Sequence, residues 1–353
     1  MTKLRFLFAL LILTTPALSQ TSSGTITGRV FDPTGNSVPN AEVMLKNEGT
    51  RDARSTVTAI DGGFVFTSVQ PAKFTLTVQA GGFKQYQQRG LVLSASERLS
   101  AGNIELTVGA TSDSITVNAE TTPVQTTSQE RSALLNDKQV ATLVTRGRDF
   151  VSLLRVLPGV VGGGGSETLG NLGTPTIQGV RSEYNSINLD GVASNPRGFG
   201  TIDTPVNLDA IAEVKVLQSN YQAEYGKSAG SVINAVTKSG TREFHGSGYY
   251  YKRHEQWNAN DFFRNRNGLG IARYRYSTIG YNVGGPVYIP NKFNTEKNKL
   301  FFFFSQEILP NKRPSSLRTY TVPTALERQG NFSQTLEVNN VLIPIKDPVS
   351  GVN

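Results

Sequence analysis

Ser277-Thr278-Ile279-Gly280-Tyr281-Asn282-Val283 sends Ile279, Tyr281 and Val283 to one side and Thr278, Gly280 and Asn282 to the other. That two-residue period belongs to a strand, not a helix. Upstream, Phe244 to Arg253 alternates less cleanly but contains Tyr249-Tyr250-Tyr251. Downstream, Leu300 to Phe304 is a strand core, too short and too closely flanked by charge for a helix. The chain's 35 glycines and plentiful Thr, Asn and Tyr agree with β-structure rich in turns.

Apolar-out, polar-in strands of about 10 residues with aromatic ends mark an outer-membrane barrel; the competing reading is a soluble β-domain. Residues 241 to 353 number 113, room for roughly four such strands. The smallest barrels need about 8 and plugged ones about 22. Four strands leave open edges that lipid cannot satisfy, so the chain is expected to be an N-terminal fragment.

The other end of the chain sets the compartment. Lys3 and Arg5 precede the apolar run Phe6 to Leu13, and Ala17-Leu18-Ser19 is a small-x-small site. This is the pattern of a secretory signal peptide, and an eight-residue run is far short of the ~20 residues of a spanning helix. With Lys3 and Arg5 removed, 33 basic residues face 27 acidic ones, a charge of +6. That mild balance, without a long basic run, argues against nucleic-acid binding. The absence of cysteine removes disulfides, thiolate nucleophiles and Cys-ligated zinc.

Between leader and barrel strands the pattern changes twice. From residue 24 to about 108, short strands alternate with turns: Thr25 to Val30 with Ile26 and Val30 on one face, then Asp32-Pro33-Thr34-Gly35-Asn36, then Ala41 to Leu45. Asp61-Gly62-Gly63 leads into Phe64-Val65-Phe66, and Phe74, Leu76 and Val78 share a face. Strands at this spacing predict a small β-sandwich. Ser128 to Leu157 reads as helical, with Asn136 as a cap and Phe150, Leu153, Leu154 and Leu157 in one stripe ended by Pro158-Gly159. A Gly-rich loop from Gly162 through Gly173 follows, then strand-like pieces at 176–180, 186–191, 212–216 and 231–236, a mixed α/β unit.

These residues carry two resemblances. Gly24 to Val30, Gly35-Asn36-Ser37-Val38-Pro39-Asn40-Ala41 and Asp61-Gly62-Gly63-Phe64 resemble the carboxypeptidase regulatory-like domain. The resemblance implies a transthyretin-like, carbohydrate-binding-like sandwich and no peptidase activity. Ile177-Gln178-Gly179-Val180-Arg181, Leu189-Asp190-Gly191-Val192, Ile211 to Val216, Tyr225-Gly226 and Gly230-Ser231-Val232-Ile233-Asn234 resemble the plug of TonB-dependent transporters. Gln218-Ser219-Asn220-Tyr221 stands where that family usually has Arg-Gly-Pro, which suggests its Oar-like branch. Asn258 to Phe263, Gly284-Gly285-Pro286-Val287, Lys299 to Phe304 and Gly330-Asn331-Phe332-Ser333 resemble the opening of Oar-like barrels.

The expected organisation is therefore mainly β: signal peptide 1–19, sandwich 20–110, linker 111–127, α/β plug 128–240, and the start of a transmembrane barrel over 241–353. Asp113-Ser114-Ile115-Thr116-Val117-Asn118-Ala119 resembles the TonB box, an extended segment before the plug that pairs with an edge of TonB. The alternatives for it are a last strand of the sandwich or a plain linker. The resemblance implies TonB with ExbB and ExbD as partners, outer-membrane lipid around the barrel, an extracellular substrate left unnamed, and location in the outer membrane. Its plug-motif residues are Gln178, Gly179, Arg181, Asp190, Gly191, Tyr225, Gly226 and Asn234.

Enzyme chemistry has little to rest on. His245 and His254 are the only histidines, nine residues apart and in or beside a barrel strand. The run Gly162 to Gly165 precedes no Lys-Ser or Lys-Thr, so it is no phosphate loop. Asp190 and Asp209 are too isolated for an acid/base pair. No cofactor or metal is expected. The expected function is energy-coupled uptake; the rivals are a periplasmic or surface module binding carbohydrate or protein, and a carboxypeptidase-like hydrolase.

Overall fold

The computed structural model describes residues 22–110, 113–118, 128–143, 145, 148–162, 175–194, 202, 204–225, 228–312, 320, 322–337, 339–346 and 348–351. The leader, the Thr-rich stretch 121–127 and most of the glycine loop at 162–173 lie outside them, as do Ala119 and Gly226. The chain forms two compact units, Met1–Tyr251 with Thr278–Leu309, and Lys252–Ser277 with Pro310–Asn353.

The first part of the larger unit is a two-sheet sandwich. One sheet has the order β4-β1-β7, from β1 (Gly24–Phe31), β4 (Gly63–Val69) and β7 (Arg98–Glu105). The other runs β3-β2-β5-β6-β8, from β2 (Glu42–Asn47), β3 (Ala53–Val57), β5 (Ala72–Gln79), β6 (Gln85–Leu93) and β8 (Ser114–Asn118). The alternation read in the sequence decides which face is inside. Ile26, Val30, Val43, Leu76 and Val78 are fully buried in one apolar cluster with Leu45, Phe66 and Phe74. The Asp61 turn is built from two causes. The Gly63 N–H donates to Asp61 Oδ1 at 3.0 Å. Gly62 has φ +72°, and a Cβ there would lie 2.4 Å from the Val30 carbonyl oxygen.

The plug sheet has the order β13-β12-β15-β14-β9. Its strands are β9 (Arg131–Leu135), β12 (Ser186–Leu189), β13 (Val192–Ala193), β14 (Ile211–Ser219) and β15 (Val232–Thr237). A two-stranded ribbon joins β10 (Val160–Val161) and β11 (Thr176–Ile177). Helix α1 (Asp137–Thr142) opens on Asn136, whose side chain accepts from the Gln139 N–H while Gln139 reaches back to the Asn136 N–H. This capping box satisfies two otherwise orphaned donors. Helix α2 (Phe150–Leu153) continues as a 3₁₀ turn over Leu154–Val156. Phe150, Leu153 and Leu154 are buried against Val214, Val216 and Ile233 of the sheet, as the stripe predicts.

One expectation fails here. Residues 131–135 form a strand, not the start of a helix, because they pair antiparallel with β14 from Leu135↔Val214 to Arg131↔Ser219. A neighbouring strand outweighs a weak local helical pattern.

After the plug come β16 (His245–His254), β17 (Arg275–Pro286) and β18 (Phe301–Ile308) in that order, with the short β19 (Asn311–Lys312) also on β17. Among the described residues there are three long strands and one of two residues where roughly four were expected, and the sheet does not close on itself. Ile279, Tyr281, Val283, Phe304 and Ile308 stand exposed, whereas Thr278 and Asn282 are buried on the other face. Apolar outside and polar inside is the lipid-facing arrangement. At Gly280 a Cβ would fall 2.2 Å from the Tyr249 ring, so glycine is what lets that ring approach β17 there.

In the smaller unit, Glu255 pairs with Arg275 at 3.1 Å, and Arg253 lies 4.9 Å from the Tyr274 ring centre. Residues Phe262–Arg266 form a short helix, α3, where the sequence suggested barrel-strand residues; Asp261 caps it by accepting from the Phe263 and Arg264 N–H groups.

Candidate functional site

Several of the plug-motif residues make turns and hydrogen bonds within the plug. Gln178 (φ +53°) and Gly179 (φ +78°) make the turn after β11. The Gln178 N–H donates to the Gly159 carbonyl at 2.8 Å, and its Nε2 to Gln218 Oε1 at 3.3 Å. Arg181 precedes a 3₁₀ turn, its carbonyl accepting from the Tyr184 N–H at 3.1 Å. Asp190 (φ +48°) and Gly191 (φ +83°) turn the chain between β12 and β13. The Asp190 carboxylate accepts from the Thr237 N–H and Oγ1, both at 2.8 Å, and so ties that hairpin to the end of β15. Asp190 is thus a tether between the β12–β13 hairpin and β15.

Asn234 leads to the first contact of interest. It is 1% exposed, accepts from Asn188 Nδ2 at 2.8 Å and donates from Nδ2 to Ser96 Oγ at 3.0 Å. Ser96 belongs to the turn Ser94–Arg98, which joins β6 to β7 in the sandwich. Around it, the Ala95 N–H donates to Glu213 Oε1 at 2.5 Å. Lys215 Nζ donates to the Ser96 carbonyl at 3.4 Å and pairs with Glu130 at 2.8 Å. Arg98 Nη2 donates to Gln222 Oε1 at 2.8 Å. The sandwich thus docks on the plug through one turn. The contact is polar almost throughout, with the Lys215–Glu130 pair nearly water-free.

Burial pushes the Glu213 carboxyl above its ordinary range and the Glu97 charge adds to this, while the Ala95 N–H and Lys215 oppose it. Burial likewise raises the Tyr225 phenol. None of Ser94 to Arg98 was singled out in the sequence. The available signal was in β14, where Glu213 and Lys215 stand two apart in a strand that is otherwise largely apolar.

A second contact joins the plug to the barrel strands. Arg148 pairs with Asp209 in the plug and lies 3.8 Å from Glu307 Oε2 on β18. Its guanidinium carbon sits 4.7 Å from the Tyr249 ring centre and 4.1 Å from that of Tyr251. Tyr249 donates to Glu307 at 2.9 Å, and Asn207 Nδ2 donates to Ser305 Oγ at 2.6 Å. One cation therefore serves two carboxylates and two aromatic faces, joining plug to wall.

The candidate TonB-box segment lies on the sandwich. Ser114 to Asn118 are β8, parallel to β6 with Gln85↔Ser114 through Arg89↔Asn118. The Gln85 N–H donates to the Asp113 carbonyl at 2.8 Å, and Lys84 Nζ lies 3.3 Å from the Asp113 carboxylate. Elsewhere on the sandwich, an open groove of about 510 Å³ is lined by Thr27, Arg29, Val57, Asp61, Val65 and Asn103. Among the described residues no group of three or more His, Asp or Glu is arranged to hold a metal. His245 and His254 are the two ends of β16.

Three family models match successive parts of the chain. The family model for a carboxypeptidase regulatory-like domain matches residues 25–107. That for the TonB-dependent receptor plug domain matches 123–232, and that for an outer membrane beta barrel domain matches 236–353. The TonB-dependent transporter Oar of Myxococcus xanthus is 27% identical over 235 residues, covering 64% of this chain and 21% of that one. A probable TonB-dependent siderophore receptor, PirA of Acinetobacter baumannii, is 31% identical over 153 residues, covering 39% and 19%. The crystal structure of the siderophore receptor PirA from Acinetobacter baumannii aligns with a TM-score of 0.38 and 22% identity, over 51% of this chain and 24% of that chain. The chain spans about a fifth of the length of the curated relatives it matches.

Proposed function

We propose, from the premise that this chain belongs to the TonB-dependent outer-membrane receptors, that it serves energy-coupled uptake of a substrate through a plugged barrel. The observation that carries this reading is the plug's seat on the polar face of barrel strands through Arg148, with the apolar face of those strands turned outward. A plug held by hydrogen bonds and ion pairs shifts without exposing an apolar surface, as a gate must.

In this reading Asp113 to Ala119 is the TonB box, and TonB draws on proton-motive force through ExbB and ExbD. Lipid contacts Ile279, Tyr281 and Val283. The substrate enters from outside, and plug movement breaks the Arg148 cluster to open a path. No covalent step is involved. The siderophore named for one relative offers a starting class of ligand to screen. A peptide of residues 111–122 is expected to bind the C-terminal domain of TonB in a calorimetric titration. No binding at high micromolar concentration would remove the TonB-box assignment.

A further inference from the structure

Among the described residues β8 is the end strand of its sheet, hydrogen-bonded through β6 on one side. Its five residues are all exposed, and neither Ile115 nor Val117 joins the sandwich core. Natural sheets guard such edges with charge, proline or a bulge. Ser114-Ile115-Thr116-Val117-Asn118 has no charge and no proline, and its pairing with β6 runs without a register shift. The opposite edge of the same sheet is guarded. β3 carries Arg54, which donates to the carbonyls of Thr67 and Ser68 at 3.1 and 3.3 Å. An unguarded, β-branched edge is a template for an incoming strand.

The strand that carries β8 is also the one that reaches the plug. β6 pairs with β8 over Gln85–Arg89 and runs on into the Ser94–Arg98 turn seated on β14 and β15. We propose that a strand of TonB's periplasmic domain adds to the free edge of β8 while β8 stays on β6, so that the sandwich sheet continues into the partner. Pulling force then enters β6 and leaves through Ala95–Glu213 and Ser96–Asn234 into the middle of the plug sheet. The sandwich is a force-bearing link, not a spacer. This rests on the TonB-box reading above and specifies how that strand is taken.

A disulfide that fixes β8 to β6 tests it. Gln87 and Thr116 are register partners, and neighbouring strands place paired Cα atoms within the roughly 4.4–6.8 Å a disulfide spans. The chain has no cysteine of its own, so Gln87→Cys with Thr116→Cys forms a single defined bond. The full chain in detergent is titrated with the TonB C-terminal domain, oxidised and reduced. The expected result is equal affinity, within about threefold. A loss of about tenfold or more on oxidation, recovered with reductant, would show that β8 must leave β6 and would overturn the proposal. Should the free peptide bind while the reduced chain does not, the edge is blocked and the proposal also fails. If neither binds, the TonB-box reading itself is wrong. Gln85→Cys with Ser114→Cys, at the other end of the same pairing, replaces the first pair if that variant misfolds.

Discussion

Arg148 shows how one side chain holds two elements at once. Its planar cation pairs with Asp209, approaches Glu307 and lies over two tyrosine rings. Removing it leaves two carboxylates, largely sheltered from water, without their shared cation. Arg148→Ala is expected to destabilise the detergent-solubilised chain by about 2–3 kcal/mol in a urea titration, toward the low end for a broken buried pair. Arg148→Lys is expected to recover less than half of that, because lysine keeps the charge but not the fork or the stacking. A full recovery would mean that charge alone holds the plug there. Nothing in the sequence marked Arg148: it sits in a polar stretch, and its partners lie 61 and 159 positions further along the chain. The inward pairing of Tyr249 with Gly280 was equally hidden, although the alternation of β17 itself was plain.

Among the elements, those with a strong internal period could be read in advance and those made by a partner could not. β1, β5 and β17 declare their buried faces through alternating residues, and the Asn136 cap declares α1. Residues 131–135 carry no such signal and become a strand because β14 lies alongside. The docking turn Ser94–Arg98 is unmarked for the same reason, since its role is fixed by Glu213 and Asn234 more than a hundred residues away.

That contact has a pH signature. The buried Glu213 carboxyl binds its proton more tightly in the folded chain than in the unfolded one. Its contribution to stability is therefore full below the ordinary carboxylate range and is lost as pH rises through its raised value. Glu213→Gln keeps an acceptor for the Ala95 N–H and cannot ionise. The urea midpoint of the native chain is expected to fall across that window relative to Glu213→Gln, with the variant the more stable at neutral pH. Parallel curves would show that the carboxyl is not buried by the docked turn.

For the whole molecule, the three parts follow from three hydrophobic patterns: a sandwich core, a plug core, and strands that turn apolar side chains outward. The last requires lipid or detergent. The mature chain is expected to be recovered from detergent extracts of outer membranes; monodisperse protein in plain buffer after mild heating would count against the barrel assignment. The division into parts was legible because each has its own pattern and turns. The joints between them were not, because they are polar and use residues that look like ordinary surface. One joint has a consequence for descent. The plug recognises the sandwich by two main-chain groups, the Ala95 amide and the Ser96 carbonyl, and by two side chains, the Ser96 hydroxyl and the Arg98 guanidinium. Residue 95 need only stay small enough for its sealed position. Any β-sandwich presenting a turn of that shape, with a hydroxyl at position 96 and a donor at position 98, would fit the same plug. Such domains are thus free to be exchanged between receptors, or to diverge in sequence, while the seat on β14 and β15 keeps its side chains.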